Sequence, residues 1–205
     1  MNDVEIRSVS DDAEIRRIYK LAESCVSGFS AGRAASSERH ERRRITRLLP
    51  VDSDGLIAGT RHIGAFRDGK LIAGAFVHPI YLEAIDRISN GVAEETIRLM
   101  LASRRTLSGL AVLPEFRRKG IASRLVERAI SIARRDGARW LTGFMDEKNG
   151  TPDFYRNLGF RVGERNRPLP PLAPANIREA HPRYVNGWWF HMDLSDDGSA
   201  GTQIP

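Results

Sequence analysis

The stretch "TLSGLAVLPEFRRKGIASRLVERAISIARR" (106–135) constrains the fold of this chain more than any other. Its first eight residues, 106–113, read as a β-strand, and Pro114 ends it because proline cannot donate to a ladder. Three basic residues follow, Arg117, Arg118 and Lys119, and then Gly120. Beyond the glycine the period changes to that of a helix: Ile121, Ala122, Leu125, Val126, Ala129, Ile130 and Ala133 fall on one side, Arg124, Glu127, Arg128, Arg134 and Arg135 on the other. Asp136-Gly137 stops that helix, and "ARWLTGFM" (138–145) reads as a short buried strand. A strand, a basic turn and an amphipathic helix in direct succession predict α/β layering.

That succession is also an anion site. The first amides of a helix have no intrahelical partner, and the helix dipole adds positive potential at the same end. Backbone N–H groups alone can hold a phosphate there. Gly120 lets the main chain approach closely, and Ala122 keeps the next turn small. Two familiar phosphate motifs are absent: there is no G-x-G-x-x-G, and Lys119-Gly120 reverses the Gly-Lys-Ser/Thr order of a Walker loop.

Elsewhere the punctuation is equally local. "VEIRSV" (4–9) alternates as a strand, and "DAEIRRIYKLAESCV" (12–26) has helical spacing with Asp11 or Asp12 as its cap. A helix is predicted over 36–49, with a strongly basic face in "RHERRR". "HIGAFRDGKLIAGAFVHPI" (62–80) predicts a hairpin turning at Asp68-Gly69. Residues 81–106 are less regular, with a helix predicted over 91–105. In "TPDFYRNLGF", Thr151 is a helix cap, Pro152 its first position, and Gly159 stands just past the end. "FRV" resumes as a strand, 164–183 read as Pro-rich surface connection, and 184–194 as a last strand. The expectation is one mixed α/β domain over 4–194 and a disordered tail over 195–205.

Bulk properties exclude several classes. No run approaches the roughly 18 apolar residues of a membrane span. The N-terminus mixes acids and bases without an apolar h-region, so a cytoplasmic location is expected. Cys25 is the only cysteine, which removes intrachain disulfides and Cys-based metal clusters, and it reads as a small packing residue. The five histidines lack metal-ligand spacing, and no metal is proposed. A net charge of +6 favours anionic partners. One alternative is therefore a nucleic-acid module using "RHERRR", "SRR" and "EFRRKG", although no stacking aromatics interleave these runs.

The pattern R-x-x-G-x-A, here Arg117-Arg118-Lys119-Gly120-Ile121-Ala122, follows the strand "LAVLPEF" and opens a helix. About 35 residues later comes "DFYRNLGF". Together these resemble the acetyl-CoA-binding motif and the second signature of the GCN5-related N-acetyltransferases, the GNAT family. The resemblance covers about 4–163, and 164–194 by topology only. It implies a GNAT-like domain whose central mixed, mostly antiparallel, twisted sheet of about seven strands is flanked by helices. It implies acetyl-CoA as co-substrate and direct attack by a primary amine in a ternary complex.

The roles carried over follow the same positions. Backbone groups of Leu110, Ala111 and Val112 would pair with the pantetheine arm, and near Leu110 would polarise the thioester carbonyl. Amides from Arg118 through Lys119, Gly120, Ile121 and Ala122 to Ser123 would hold the pyrophosphate, with Arg117 adding charge. Asn149 matches an asparagine that contacts the cofactor arm. Tyr155 matches a tyrosine that protonates the leaving thiolate. On its own terms Tyr155 is also a packing tyrosine, turned aside by a core face that Phe154 and Leu158 share at i and i+4.

One role has no obvious holder. Several well-studied members place Glu or His where this chain has Thr106 and Ser108, and neither hydroxyl usefully takes a proton from an ammonium. Deprotonation then falls to a water chain, to an amine that arrives neutral, or to His78, Glu83, Asp146, Glu147 or His191. The acceptor is a small-molecule or peptide amine whose pocket would come from 27–50, 81–105 and 165–187. Charged tRNA or a ribosomal protein as acceptor, a member without turnover, and a homodimer all stay open.

Overall fold

A computed structural model describes residues 4–49, 59–150, 152–176 and 186–195 of the chain. The alternating N-terminal segment forms β1 (Glu5–Val9), and helix α1 (Asp12–Cys25) follows. Asp11 caps α1 by accepting the Glu14 amide at 2.9 Å, a side-chain oxygen replacing one missing intrahelical acceptor. Helix α2 (Ala31–Leu48) begins earlier than the serine pair suggested. The hairpin β2 (Arg61–Arg67) and β3 (Lys70–His78) turns at Asp68 and Gly69, both with positive φ. This is the geometry that Asp-Gly favours between right-twisted strands.

Helices α3 (Tyr81–Ser89) and α4 (Glu94–Ser103) lead into β4 (Arg104–Val112). A single 3-10 turn (Pro114–Phe116) precedes α5 (Ile121–Arg135), followed by β5 (Trp140–Asp146), α6 (Pro152–Asn157), β6 (Arg161–Val162) and β7 (Gly187–Asp193). One seven-stranded sheet has the order β1-β2-β3-β4-β5-β7-β6. Among the described residues only β4 and β5 are parallel, and every other strand pair is antiparallel. The expected fold class is the observed one.

Helix α5 presses Ile121, Leu125, Val126, Ala129, Ile132 and Ala133 onto one face of the sheet. Each fully buried Leu, Ile or Val there contributes about 2 kcal/mol. Helix α1 covers the other face with Ile18, Tyr19, Leu21 and Ala22 against Phe66, Phe76 and Ala111. A satellite core joins α2, α3 and α4 through Ile45, Tyr81, Ile85, Ile97 and Met100.

Four expectations are corrected. The helix predicted over 91–105 stops at Ser103, and Arg104 and Arg105 open β4 as buried residues, 0% and 2% exposed. Arg104 donates to the Leu172 carbonyl at 2.9 Å; Arg105 donates to the Leu101 carbonyl at 2.8 Å and pairs with Asp136 at 3.8 Å. The "SRR" run is thus no nucleic-acid surface, because its guanidiniums tie the α4–β4 junction to neighbouring carbonyls and a carboxylate. The stretch from 164 is not all surface connection: Leu169 and Leu172 are buried against Trp189, and the Trp140 indole donates to the Ala173 carbonyl. Finally, Tyr155 faces the core more fully than Phe154 or Leu158, which are only partly buried. The cap expected at Thr151, residues 184–185 of the last strand, and the tail beyond Ser195 lie outside the described residues.

Candidate active site

Strands β4 and β5 pair only at Arg104–Thr106 with Trp140–Thr142. Past Thr106 they part, and the β4 edge facing β5 is left without a strand partner. A bulge lies just beyond that point. Phe76 of β3 faces Ser108 and Gly74 faces Ala111, so two steps along β3 match three along β4. The extra residue sits at Gly109, which has φ +58°. An isolated glycine within a strand pattern is the sequence signal for this, and a regular-strand reading passes over it.

The bulge depends on that glycine. A Cβ there would lie 1.9 Å from Phe76 Cε2, and Phe76 cannot easily swing away, being stacked on Tyr19 (4.6 Å) and Phe29 (5.8 Å). Gly109→Ala should therefore destabilise the protein by about 2–4 kcal/mol through overpacking and left-handed strain. Urea denaturation would show it as a lowered midpoint with unchanged slope.

The parting of the strands opens a cleft of about 660 Å³. Residues 107–112 of β4 form one wall, and 144–146 of β5 with Lys148, Asn149, Gly150, Phe154 and Tyr155 form the other. The end of α1 and its turn, Cys25 to Phe29, lie across it, and Arg117 and Ala122 mark where it meets α5. Leu110, Ala111, Val112, Arg117, Ala122, Asn149 and Tyr155, named from sequence, are thus brought together. Cys25 is half-buried at the cleft rather than simply packed under a helix.

At the start of α5 the chain makes two left-handed residues, Arg118 (φ +58°) and Gly120 (φ +73°). The first amide bonded back into the helix is that of Arg124, on the Gly120 carbonyl at 3.1 Å. The amides from Arg118 to Ser123 have no hydrogen-bond partner among the described residues. A concave run of such amides is an anion nest. Open space lies above Gly120, where a Cβ would meet nothing within 4 Å. The side chains of the loop are held elsewhere: Arg117 Nε donates to the Val112 carbonyl at 3.0 Å, and Lys119 Nζ to the Glu115 carbonyl at 2.9 Å.

Asn149 is committed to the main chain across the cleft. Its Oδ1 accepts the Ser27 amide at 2.6 Å, and its Nδ2 donates to the Ser27 carbonyl at 3.0 Å. It thereby fixes the turn after α1 against the loop after β5. Tyr155 stacks on Phe190 at 3.8 Å and meets Phe154 and Phe160 edge-on. Its hydroxyl has no hydrogen-bond partner among the described residues, and burial pushes its pKa well above the ordinary phenol value. It therefore holds its proton at any physiological pH.

The five side chains considered as bases separate clearly. His191 lies on β7 outside the cleft, its pKa held down by burial and then by Arg161. Glu147 pairs with Arg165, and the Asp146 carboxylate accepts the Lys148 amide at 2.9 Å. Glu83 sits in the first turn of α3, away from the cleft lining. His78, at the end of β3, contacts Ser108 at 2.8 Å through Nε2, and Ser108 lines the cleft. Thr106 is turned to Thr142 at 3.3 Å. No three His, Cys, Asp or Glu side chains gather as a metal would require among the described residues.

Comparison with known proteins identifies the family and the fold. The sequence profile of the Acetyltransferase (GNAT) family matches residues 16–160. No curated protein is matched by sequence. Among solved structures, yncA from Salmonella typhimurium, solved with its cofactor acetyl-CoA, shares 16% identity at TM-score 0.57, covering 99% of this chain and 100% of that one. The ribosomal-protein-S18-alanine N-acetyltransferase from Escherichia coli shares 16% identity at TM-score 0.55, covering 99% of each chain. The PaiA N-acetyltransferase from Thermoplasma acidophilum, in complex with coenzyme A, shares 17% at 0.52, covering 93% of this chain and 99% of that one. At such identities the likeness speaks for the fold, and the profile match, over more than half the chain, speaks for the family: this chain belongs to the GNAT family of acetyltransferases.

Proposed function

We propose that the protein transfers an acetyl group from acetyl-CoA to a primary amine by direct attack within a ternary complex. One observation carries this reading: the unpaired amides from Arg118 to Ser123 open beside a cleft that exists because β4 and β5 part after Thr106. A diphosphate suits the nest, and an extended amide-bearing arm suits the free edge of β4, where Leu110, Ala111 and Val112 offer main-chain groups. An oxyanion at the thioester would be met by fixed backbone dipoles near Leu110. The relatives solved with acetyl-CoA or coenzyme A support the same co-substrate.

In this reading Asn149 shapes the cleft by holding the Ser27 turn, and Tyr155 aims its hydroxyl at the departing sulfur. The acceptor is a small-molecule or peptide amine entering from the side of α1, α2 and α3. The S18-alanine N-acetyltransferase among the neighbours favours a peptide or protein amine.

Acetyl-CoA should raise the melting temperature, since a ligand that binds only the folded state adds about 2.7 kcal/mol at a hundred times its Kd. Free-thiol release from acetyl-CoA across a panel of amines, including polyamines, amino acids and N-terminal peptides, would then identify the acceptor class. Melting curves unmoved by acetyl-CoA and by longer acyl-CoAs would sink the proposal.

A further inference from the structure

We infer that Ser108 and His78 form a two-residue proton relay that neutralises the acceptor ammonium, with His78 as the terminal base. The inference rests on the transferase reading and supplies the role that no side chain on β4 could fill alone.

The geometry assigns the protons. His78 Nδ1 lies 2.8 Å from the Pro79 carbonyl, which can only accept, so in the neutral ring Nδ1 carries the hydrogen. Nε2 is then a bare acceptor, and the Ser108 hydroxyl at 2.8 Å donates to it. The carbonyl fixes the tautomer and orients the ring, the arrangement by which a third group readies a base beside a hydroxyl. Ser108 lines the cleft and His78 does not, so the imidazole reaches the reaction only through the serine.

Position supports the assignment. Ser108 immediately precedes the Gly109 bulge and lies two residues past Thr106, the last β4 residue paired with β5, along the stretch that walls the cleft. The alternative hydroxyl, Thr106, is engaged with Thr142. Partners 30 residues apart meet because Ser108 and Phe76 are opposed in the β3–β4 ladder, which brings His78, two residues on, to the same face.

The step balances as follows. An ammonium proton passes to Ser108 Oγ as the serine's own proton passes to His78 Nε2, leaving a neutral amine and an imidazolium. The imidazolium is stabilised by its Nδ1–H bond to the Pro79 carbonyl. The amine then forms its C–N bond at the thioester carbonyl, and the C–S bond breaks. Of the two hydrogens left on nitrogen one stays on the amide and the other leaves as a proton to Tyr155, whose hydroxyl gives its own proton to the thiolate sulfur. His78 returns its proton to solvent, so each turnover releases one amide, one thiol and one proton.

Two probes separate this role from a structural one: butylamine, an ammonium at neutral pH, and methoxyamine, a neutral nucleophile there. His78→Gln should lower kcat with butylamine by about a hundredfold, within the range of general-base catalysis, yet change kcat with methoxyamine by no more than about threefold. KM for acetyl-CoA and the melting temperature should stay near wild type. Ser108→Ala should show the same selectivity for the charged probe, and added imidazole should restore butylamine turnover to His78→Ala.

Equal losses with both probes, or no loss with butylamine, would overturn the relay. So would an acetyl group on Ser108 in the intact mass after mixing with acetyl-CoA, because that would make the serine a nucleophile. Wild-type protein that binds acetyl-CoA but acetylates neither probe would also overturn the relay alone. Failure to bind acetyl-CoA would overturn the transferase reading beneath it.

Discussion

Gly120→Glu should weaken acetyl-CoA binding by about a thousandfold, because a carboxylate about 4 Å from a phosphate costs about 4 kcal/mol at a near-surface dielectric. The nest is made of main-chain amides, so its preference for anions comes from fixed dipoles rather than mobile side chains. A glutamate at its centre places a like charge where those dipoles converge. The fold should survive the change. A Cβ at Gly120 meets nothing within 4 Å, and the left-handed φ of +73° costs a non-glycine residue about 1–2 kcal/mol.

Gly120→Asn separates charge from backbone strain, since asparagine tolerates that conformation. Its affinity should fall by less than about tenfold, about 1.4 kcal/mol. Arg118→Ala should weaken binding by about fivefold at most, as expected for an exposed ion pair. Calorimetric titration of the three variants with acetyl-CoA would show this order. Wild-type affinity in Gly120→Glu would mean that the diphosphate does not sit at the start of α5.

Tyr155→Phe should lower kcat by several hundredfold, within the range for a proton-transfer group, while leaving acetyl-CoA affinity within about threefold, less than 1 kcal/mol. The reason is structural. The ring packs on Phe190, Phe154 and Phe160, and phenylalanine keeps all three contacts. The hydroxyl makes no hydrogen bond within the described residues, so its removal orphans no partner. Lost affinity with preserved turnover would instead reassign Tyr155 to binding.

The same substitution has a signature in alkali. Burial raises the Tyr155 pKa above its ordinary value of 10.0. Above that pH the unfolded chain gives up the phenolic proton while the folded chain keeps it. Stability is therefore fully present below pH 10 and is lost as pH rises, by up to about 1.4 kcal/mol per pH unit from this group. Tyr155→Phe lacks that loss. Its stability relative to wild type should improve between about pH 9 and about pH 11 in chemical denaturation.

The parts of this protein legible in its sequence are those written within a few residues. Asp11 caps the helix that follows it, Asp68-Gly69 turns the hairpin, Pro114 ends a strand, and Gly159 closes α6 with φ +85°. Each acts on backbone torsions or amides no more than about four residues away, so residue type alone announces it. What misled was also local. Read with arginine as a solvent-facing residue, the helical period of α4 runs on through Ser103 into Arg104 and Arg105. The structure buries both because carbonyls and Asp136 wait for them.

By itself the sequence determined a terminated strand, a glycine turn and the start of an amphipathic helix at Gly120, within an α/β fold of the GNAT kind. Tertiary structure alone decided what surrounds that helix start. It set how far β4 and β5 stay paired, that Asn149 clasps Ser27 from 122 residues away, and that His78 stands behind Ser108. Such meetings arise from strand register and from layers closing on each other. A pattern read along the chain carries no information about which distant residue will arrive opposite, and that is why the pairing of Ser108 with His78 beside the cleft became visible only in three dimensions.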